Sequence, residues 1–213
     1  MGLEKQVSYK ATNTFETLNT YHSNTKNVWL VFHGLGFLSR YFLSHFKALD
    51  ATENYIICPQ APSKFYLGDQ YKHVGACWLT KENTALETQN VLAYIDAVFI
   101  AEKINPEANL IVLGYSQGVS IATRWLASRK IPCKKLILHS GGIPEELTSE
   151  DFSYLSPNTE VTYLYGDNDE YIDEARKTEE RLKGTALFGE KGSTIVFKGI
   201  HEVHVPSLLR ISK

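Results

Sequence analysis

The chain has 213 residues, 43% of them hydrophobic, and a formal net charge of −2. That length and composition imply one domain over residues 1–213 with enough apolar material for a full core, and the near-neutral charge carries no basic footprint for nucleic acid. Three cysteines, Cys58, Cys77 and Cys133, are odd in number and widely spaced, so they make neither a disulfide framework nor a zinc pattern. The segment from Met1 to Val7 has no apolar core of a secretory signal, and no stretch approaches the run of about 18 apolar residues that a spanning helix needs. The expectation is a cytoplasmic protein without a membrane span.

Taken in chain order, Val7–Ala11 and Thr14–Leu18 alternate weakly around Thr12-Asn13 and predict an antiparallel hairpin. Asn27–Phe32 is a continuous apolar run, as in a strand buried on both faces. Leu38, Tyr41, Phe42, His45, Phe46 and Leu49 fall at helical spacing. Asn54–Cys58 is the next buried run, and residues 59–81 read as irregular and aromatic-rich. Thr84-Ala-Leu-Glu87 has the form of a capping box, opening a helix whose face is Leu86, Leu92, Ile95 and Phe99. Leu110–Leu113 predicts a strand, residues 118–130 a helix ended by Pro132, and residues 135–138, 160–165 and 194–197 three more strands. Glu174–Lys183 predicts a charged helix, and Pro206 opens a short final one. Strands alternating with helices give an α/β fold with a mostly parallel sheet of about eight strands, helices on both faces and an N-terminal antiparallel hairpin. The connection from Gly141 to Asn158 is too short for a large lid.

Gly114-Tyr-Ser-Gln-Gly118 lies between a predicted strand and a predicted helix. Gly-x-Ser-x-Gly in that setting is a nucleophile elbow, a sharp turn that lifts the serine hydroxyl off the sheet edge. Ligands of open α/β sheets bind at the carboxyl ends of the strands, and the other polar candidates stand at such ends. His33-Gly-Leu-Gly36 follows the strand ending at Phe32, and its glycine-flanked turn frees backbone N–H groups for an oxyanion. The hole is assigned to the N–H groups of Leu35 and Gln117. His33 precedes the serine, whereas this fold orders its triad as serine, acid, histidine, so His33 reads as an orienting residue. After the strand ending at Tyr165, the acids Asp167, Asp169, Glu170 and Asp173 compete. Asp167 suits a turn cap, and Asp169, just beyond the turn, is the choice for holding the imidazole. His201, on the glycine-led loop after the last strand, is the chosen base, with His204 its rival.

This set of motifs resembles the α/β-hydrolase superfamily, and within it the small bacterial carboxylesterases related to acyl-protein thioesterase and lysophospholipase. The likeness runs from about Val28 to Leu209. It is carried by Phe-His-Gly-Leu-Gly at 32–36, Pro-Gln-Ala-Pro at 59–62, the elbow at 114–118, Ser-Gly-Gly-Ile-Pro at 140–144, Gly-Asp-Asn-Asp at 166–169 and His-Glu-Val at 201–203. The resemblance implies Ser116, Asp169 and His201 as the triad, with oxyanion donors on Leu35 and Gln117. The chain departs from the family pattern at Phe37, where an Asp is usual, at Val119, usually Gly, and at Glu170-Tyr171, where Pro is usual. Phe37 and Tyr171 are therefore expected at the mouth of the site.

The expected chemistry is hydrolysis of a small-molecule carboxylic ester or thioester through an acyl-enzyme, with short to medium acyl chains. No cofactor is implied, and the seven histidines show no metal-binding spacing such as His-Glu-x-x-His. Phe65, Tyr66, Tyr71 and Trp78 either wall an acyl groove or fill a small core of their own loop; Trp78 is taken as a substrate-binding candidate. The alternatives are a lysophospholipase or protein deacylase on longer chains, a peptidase on the same triad, and a silent binding protein that keeps the fold.

Overall fold

Apolar runs that are buried on both faces need a layer of helices on each side. In the computed structural model, which describes residues 2–213, they have it. The elements in chain order are β1 (Phe15–Leu18), β2 (Asn27–Phe32), α1 (Ser39–Phe42), β3 (Asn54–Pro59), β4 (Ser63–Leu67), β5 (His73–Cys77), α2 (Thr84–Ala101), β6 (Asn109–Tyr115), α3 (Gln117–Arg129), β7 (Lys135–His139), β8 (Glu160–Gly166), α4 (Glu174–Phe188), β9 (Gly192–Phe197) and α5 (Val205–Ile211). Seven strands form the central sheet in the order β1-β3-β2-β6-β7-β8-β9. β1 is antiparallel to β3, and all the other neighbours are parallel.

Successive residues of each strand point to opposite faces. Val28, Leu30 and Phe32 join Val112, Leu138 and Tyr163 in one core with residues of α2 and α3. Trp29 and Val31 join Ile111, Leu113, Ile137 and Leu164 in the other, beneath Phe42, Phe46, Leu208 and Ile211. The parallel register pairs Phe32 with Gly114, Tyr115 with His139 and Gly166 with Phe197. The carboxyl ends of β2, β6, β7, β8 and β9 therefore share one edge of the sheet.

Four local expectations change. The antiparallel N-terminal strand is present as β1, but its partner is β3; residues 7–11 are exposed and form no strand. A strand at the rim pairs where the sheet offers an open edge, and β3 offers one. Residues 63–77 are not irregular: β4 and β5 form a separate antiparallel ribbon. The Thr84–Glu87 capping box is not made. Asn83 precedes the helix at φ 49° without a side-chain cap, and the Thr84 hydroxyl donates to the Thr80 carbonyl. The reciprocal box forms instead between Thr148 and Asp151, before a single 3₁₀ turn at Ser149–Phe152. Finally, α2 buries Val91, Leu92, Ile95 and Val98, while Leu86, in its first turn, is exposed. Among the described residues no helix is long and apolar enough to cross a membrane.

The tightest crossing is that of α3 over β2. A Cβ at Gly118 would lie 2.1 Å from the Phe32 carbonyl oxygen, a backbone atom that cannot yield. Gly118→Ala is expected to lower stability by about 1–3 kcal/mol through overpacking. Gly184→Ala, in the interior of α4 with nothing within 4 Å of the added methyl, should raise it by about 0.5–1 kcal/mol through helix propensity. Urea unfolding midpoints check both, and opposite shifts are expected.

Candidate active site

β6 ends at Tyr115 and α3 begins at Gln117, so Ser116 alone makes the turn. Its backbone sits at φ 51° and ψ −119°, a conformation that persists only where the surroundings hold it. The Ser116 N–H donates to the His139 carbonyl at 2.8 Å, and the Val119 N–H donates to the Ser116 carbonyl at 3.1 Å. Ser116 opens onto a cavity of about 450 Å³ whose walls include Leu35, Gln117, Tyr171, Arg176 and His201.

The loop after β2 is set by a buried imidazole. His33 lies between the rings of Phe42 and Trp78. Its Nε2 accepts the Ala61 N–H at 3.1 Å, so the proton of the neutral ring is on Nδ1, which donates to the Gly34 carbonyl at 2.8 Å. Burial pushes the His33 pKa down to about 4, against the smaller opposing effect of that hydrogen bond. The Gly34 carbonyl and the Leu35 N–H belong to one planar peptide unit, so His33 fixes the direction in which the Leu35 N–H points. The Gly36 N–H donates to Ala76 and the Phe37 N–H to Gly34. Among the described residues, the N–H groups of Leu35 and Gln117 have no such acceptor. The Gln117 side chain is occupied elsewhere: Oε1 accepts the Trp78 N–H at 2.8 Å and Nε2 donates to the Leu79 carbonyl at 2.7 Å.

Across the cavity, the loops after β8 and β9 are stitched together. The Asp167 N–H donates to Phe197, the Asn168 N–H donates to Gly199, and Asp167 Oδ1 accepts the Gly199 N–H at 2.9 Å. Asp167 thus spends its carboxylate on the turn. Asp169 is the buried acid. Its Oδ2 meets His201 Nδ1 at 2.8 Å, and its Oδ1 accepts the Tyr171 N–H at 3.0 Å. The Tyr115 hydroxyl donates to the His201 carbonyl at 3.0 Å, and its ring flanks the imidazole. Among the described residues no hydrogen bond joins Ser116 Oγ to His201; the two meet as walls of one cavity. His204 is elsewhere. Its ring stacks on Phe197 at 4.2 Å, its Nδ1 meets Ser207 Oγ, and its N–H donates to His139 Nε2. His139 is fully buried, and burial, with smaller contributions from the neighbouring histidines, lowers its pKa to about 3.

The expected substrate-contacting residues divide. Tyr171 is 62% exposed, and its ring stands 4.8 Å from the His201 ring at the cavity mouth. Phe37 packs edge-on to Phe42 and Tyr115 and borders a neighbouring hollow with Leu35 and Arg40. Trp78 is corrected: it is 1% exposed, packs under Phe32 and His33, and donates its indole N–H to the His33 carbonyl at 2.8 Å. It supports the Gly34–Gly36 loop from below and takes no part in the cavity wall. Arg176 lines the cavity and was not visible in the sequence, where it is one charge among many on a polar helix. Among the described residues no group of three His, Cys, Asp or Glu side chains is placed to hold a metal ion.

The parallel sheet, the elbow on β6 and the loops converging on its carboxyl edge define an α/β-hydrolase. The family model for phospholipases and carboxylesterases matches residues 14–213, and the chain belongs to that family, whose members are hydrolases of esterase type. Among solved structures, an acyl-protein thioesterase 2 from Zea mays is similar at 14% identity, with a TM-score of 0.70, over 94% of this chain and 96% of that one. A phospholipase/carboxylesterase from Dyadobacter fermentans is 18% identical with a TM-score of 0.65, covering 96% and 98%. The Bacillus cereus carboxylesterase is 16% identical with a TM-score of 0.64, covering 95% and 92%. At these identities the likeness is one of fold. No curated protein matches the sequence.

Two buried neutral imidazoles set an acid limit on stability. The pKa values of His33 and His139 fall from 6.5 to about 4 and about 3, so below pH 6.5 the unfolded chain binds more protons than the native one. Their stabilising contribution is complete above that pH and is lost progressively as pH falls towards the native values. Urea midpoints measured from pH 7 to pH 4 should decline, and His139→Gln should make the decline shallower. An identical slope in the variant would mean that this imidazole titrates alike in both states.

Proposed function

We propose that the chain hydrolyses carboxylic esters or thioesters of short to medium acyl length by a Ser-His-Asp mechanism. Ser116 is the nucleophile, His201 the general base and acid, and Asp169 the carboxylate that holds the imidazole. The observation that carries this reading is the 2.8 Å contact between the buried Asp169 and Nδ1 of His201, whose side chain lines the same cavity as Ser116. With Nδ1 engaged by Asp169, the free Nε2 is the atom that takes the Ser116 proton as Oγ attacks the acyl carbon.

The tetrahedral oxyanion is received by the N–H groups of Leu35 and Gln117. Among the described residues neither finds an acceptor, and the helix N-terminus at Gln117 adds a favourable dipole. His201 then protonates the departing alcohol or thiol, and water repeats the sequence on the acyl-enzyme. The link between β7 and β8 holds only the 3₁₀ turn at Ser149–Phe152, which supports an open site for small substrates rather than a capped one.

A fluorophosphonate probe should label Ser116 stoichiometrically, and Ser116→Ala should abolish labelling and ester turnover together. On 4-nitrophenyl esters, Asp169→Asn should lower kcat by about 10⁴-fold, the order seen when a triad acid is neutralised, and Asp167→Asn by less than about tenfold, since its carboxylate braces the loop and touches no ring. Intact protein that takes no label, or a larger loss in the Asp167 variant, overturns the assignment.

A further inference from the structure

α4 starts one residue after Asp173, whose carboxylate caps it by accepting the Arg176 N–H at 2.8 Å. The Arg176 side chain then reaches back over the start of its own helix. Nη1 donates to the Tyr171 carbonyl at 3.1 Å. Nη2 lies over Gly142, where even a Cβ would approach it to 2.9 Å. In this position the guanidinium forms part of the wall of the Ser116 cavity.

Charge distribution makes the placement informative. Arg124 and Arg129 are each paired with a carboxylate, Glu146 at 2.7 Å and Asp96 at 2.8 Å, and Lys183 is shared among Glu145, Glu179 and Glu180. Among the described residues no carboxylate forms an ion pair with the Arg176 side chain. Glu180, one turn further along α4, shares the adjoining hollow with Arg176, and its Oε1 faces the same space over Gly142 as Nη2 without closing to an ion pair. Its Oε2 is engaged by the Ile143 N–H at 2.8 Å. Among the described residues, Arg176 is therefore the one Lys, Arg, Asp or Glu side chain in the cavity wall; its companions there are aliphatic, amide, hydroxyl, phenol, imidazole or glycine. A guanidinium held by one carbonyl keeps most of its fork of N–H donors for a planar anion, and the missing side chain at Gly142 is what lets the guanidinium lie there.

We infer that this cavity is a subsite for a carboxylate, so that the preferred ester or thioester carries an anionic group on its acyl chain or its leaving group, bound by Arg176. The inference rests on Ser116 being the nucleophile of the proposed hydrolase, and it narrows the substrate class to half-esters of diacids or esters of acidic alcohols.

The test compares matched pairs. For the acyl side, mono-4-nitrophenyl glutarate is measured against 4-nitrophenyl butyrate; for the leaving-group side, 4-acetoxybenzoate against phenyl acetate. In Arg176→Gln, the ratio of anionic to neutral kcat/KM should fall by about 10–100-fold for one of the pairs, through KM more than kcat, as expected for loss of a charge-assisted hydrogen bond. Arg176→Lys should recover part of it. Gly142→Ala, which keeps the charge but displaces the guanidinium, should give an intermediate ratio. Glutarate binding to Ser116→Ala, followed by calorimetry, gives a readout independent of turnover: binding should be lost in the Ser116→Ala/Arg176→Gln double variant, with butyrate weak in both. Ratios that Arg176→Gln leaves unchanged for both pairs, or glutarate binding that survives the double change, overturn the subsite while leaving the hydrolase reading intact. Failure of the wild type to turn over any of the four esters overturns the hydrolase reading instead.

Discussion

Everything at this site depends on how closely α3 is pressed against the sheet. Its first turn comes so near β2 that the Phe32 carbonyl oxygen occupies the space a side chain at 118 would need. That proximity leaves one residue, Ser116, to reverse the chain between strand and helix, at φ 51°. The cost of that conformation is offset by the hydrogen bonds that grip it on both sides, one from β7 and one from within α3. The same crossing forces the next loop to accommodate the elbow: a Cβ at Gly141 would lie 2.1 Å from the Ser116 carbonyl oxygen. The proposed nucleophile is thus fixed by backbone packing, before any catalytic partner is considered.

Two buried histidines extend that rigidity to the surrounding loops. Each uses one nitrogen as acceptor for a backbone N–H and the other towards a nearby oxygen. His33 ties Ala61 to the Gly34 peptide, and His139 ties His204 to Ser140. A charged ring would lose its acceptor and with it one backbone anchor, so the low pKa values of both groups are a condition of the geometry as well as a result of burial. Beneath them, Trp78 closes the gap between Phe32 and His33 and holds the His33 carbonyl. Aromatic and imidazole rings here do the work of a rigid second layer under the two N–H groups proposed to receive the oxyanion.

Strand ends and glycine-bounded turns were legible in the sequence because they obey local rules: a buried run, a breaker, then polar residues at the carboxyl edge. Ser116, Leu35, Asp169 and His201 could be named from those rules and their order along the chain. Asp167 and Asp169 separate in the structure for a reason the sequence only hinted at. The first is captured by the Gly199 N–H of the neighbouring loop and the second is shielded beside His201. What was not legible depends on distant pairing. β1 chooses β3 over residues 7–11 because the sheet offers an edge. The β4–β5 ribbon pairs with itself and buries little, so its exposed strand β4 lacks the burial pattern by which strands are recognised. Trp78 points inwards because its indole finds a carbonyl there, which a list of loop aromatics does not reveal.

The segment from Asp169 to Arg176 joins the proposed catalytic acid to the proposed carboxylate subsite in eight residues. Its first member supports His201, Tyr171 stands over the same imidazole, Ile172 is buried beneath, and Asp173 turns the chain into α4 so that Arg176 can reach back to the Tyr171 carbonyl. The Arg176 bond therefore ends on the residue whose N–H is held by Asp169. A carboxylate drawn to the guanidinium would pull on a peptide chain anchored at the proposed catalytic acid, so binding at the distal group and alignment of the imidazole are mechanically connected through three residues. Such a connection allows interactions remote from the scissile bond to be used for orientation at the reacting centre. The departure from the family pattern at Glu170-Tyr171 changes what lines the mouth of the cavity while the acid–imidazole contact is kept, because Asp169 meets His201 of the β9 loop, whereas the Tyr171 ring and Arg176 are carried by the helix entry.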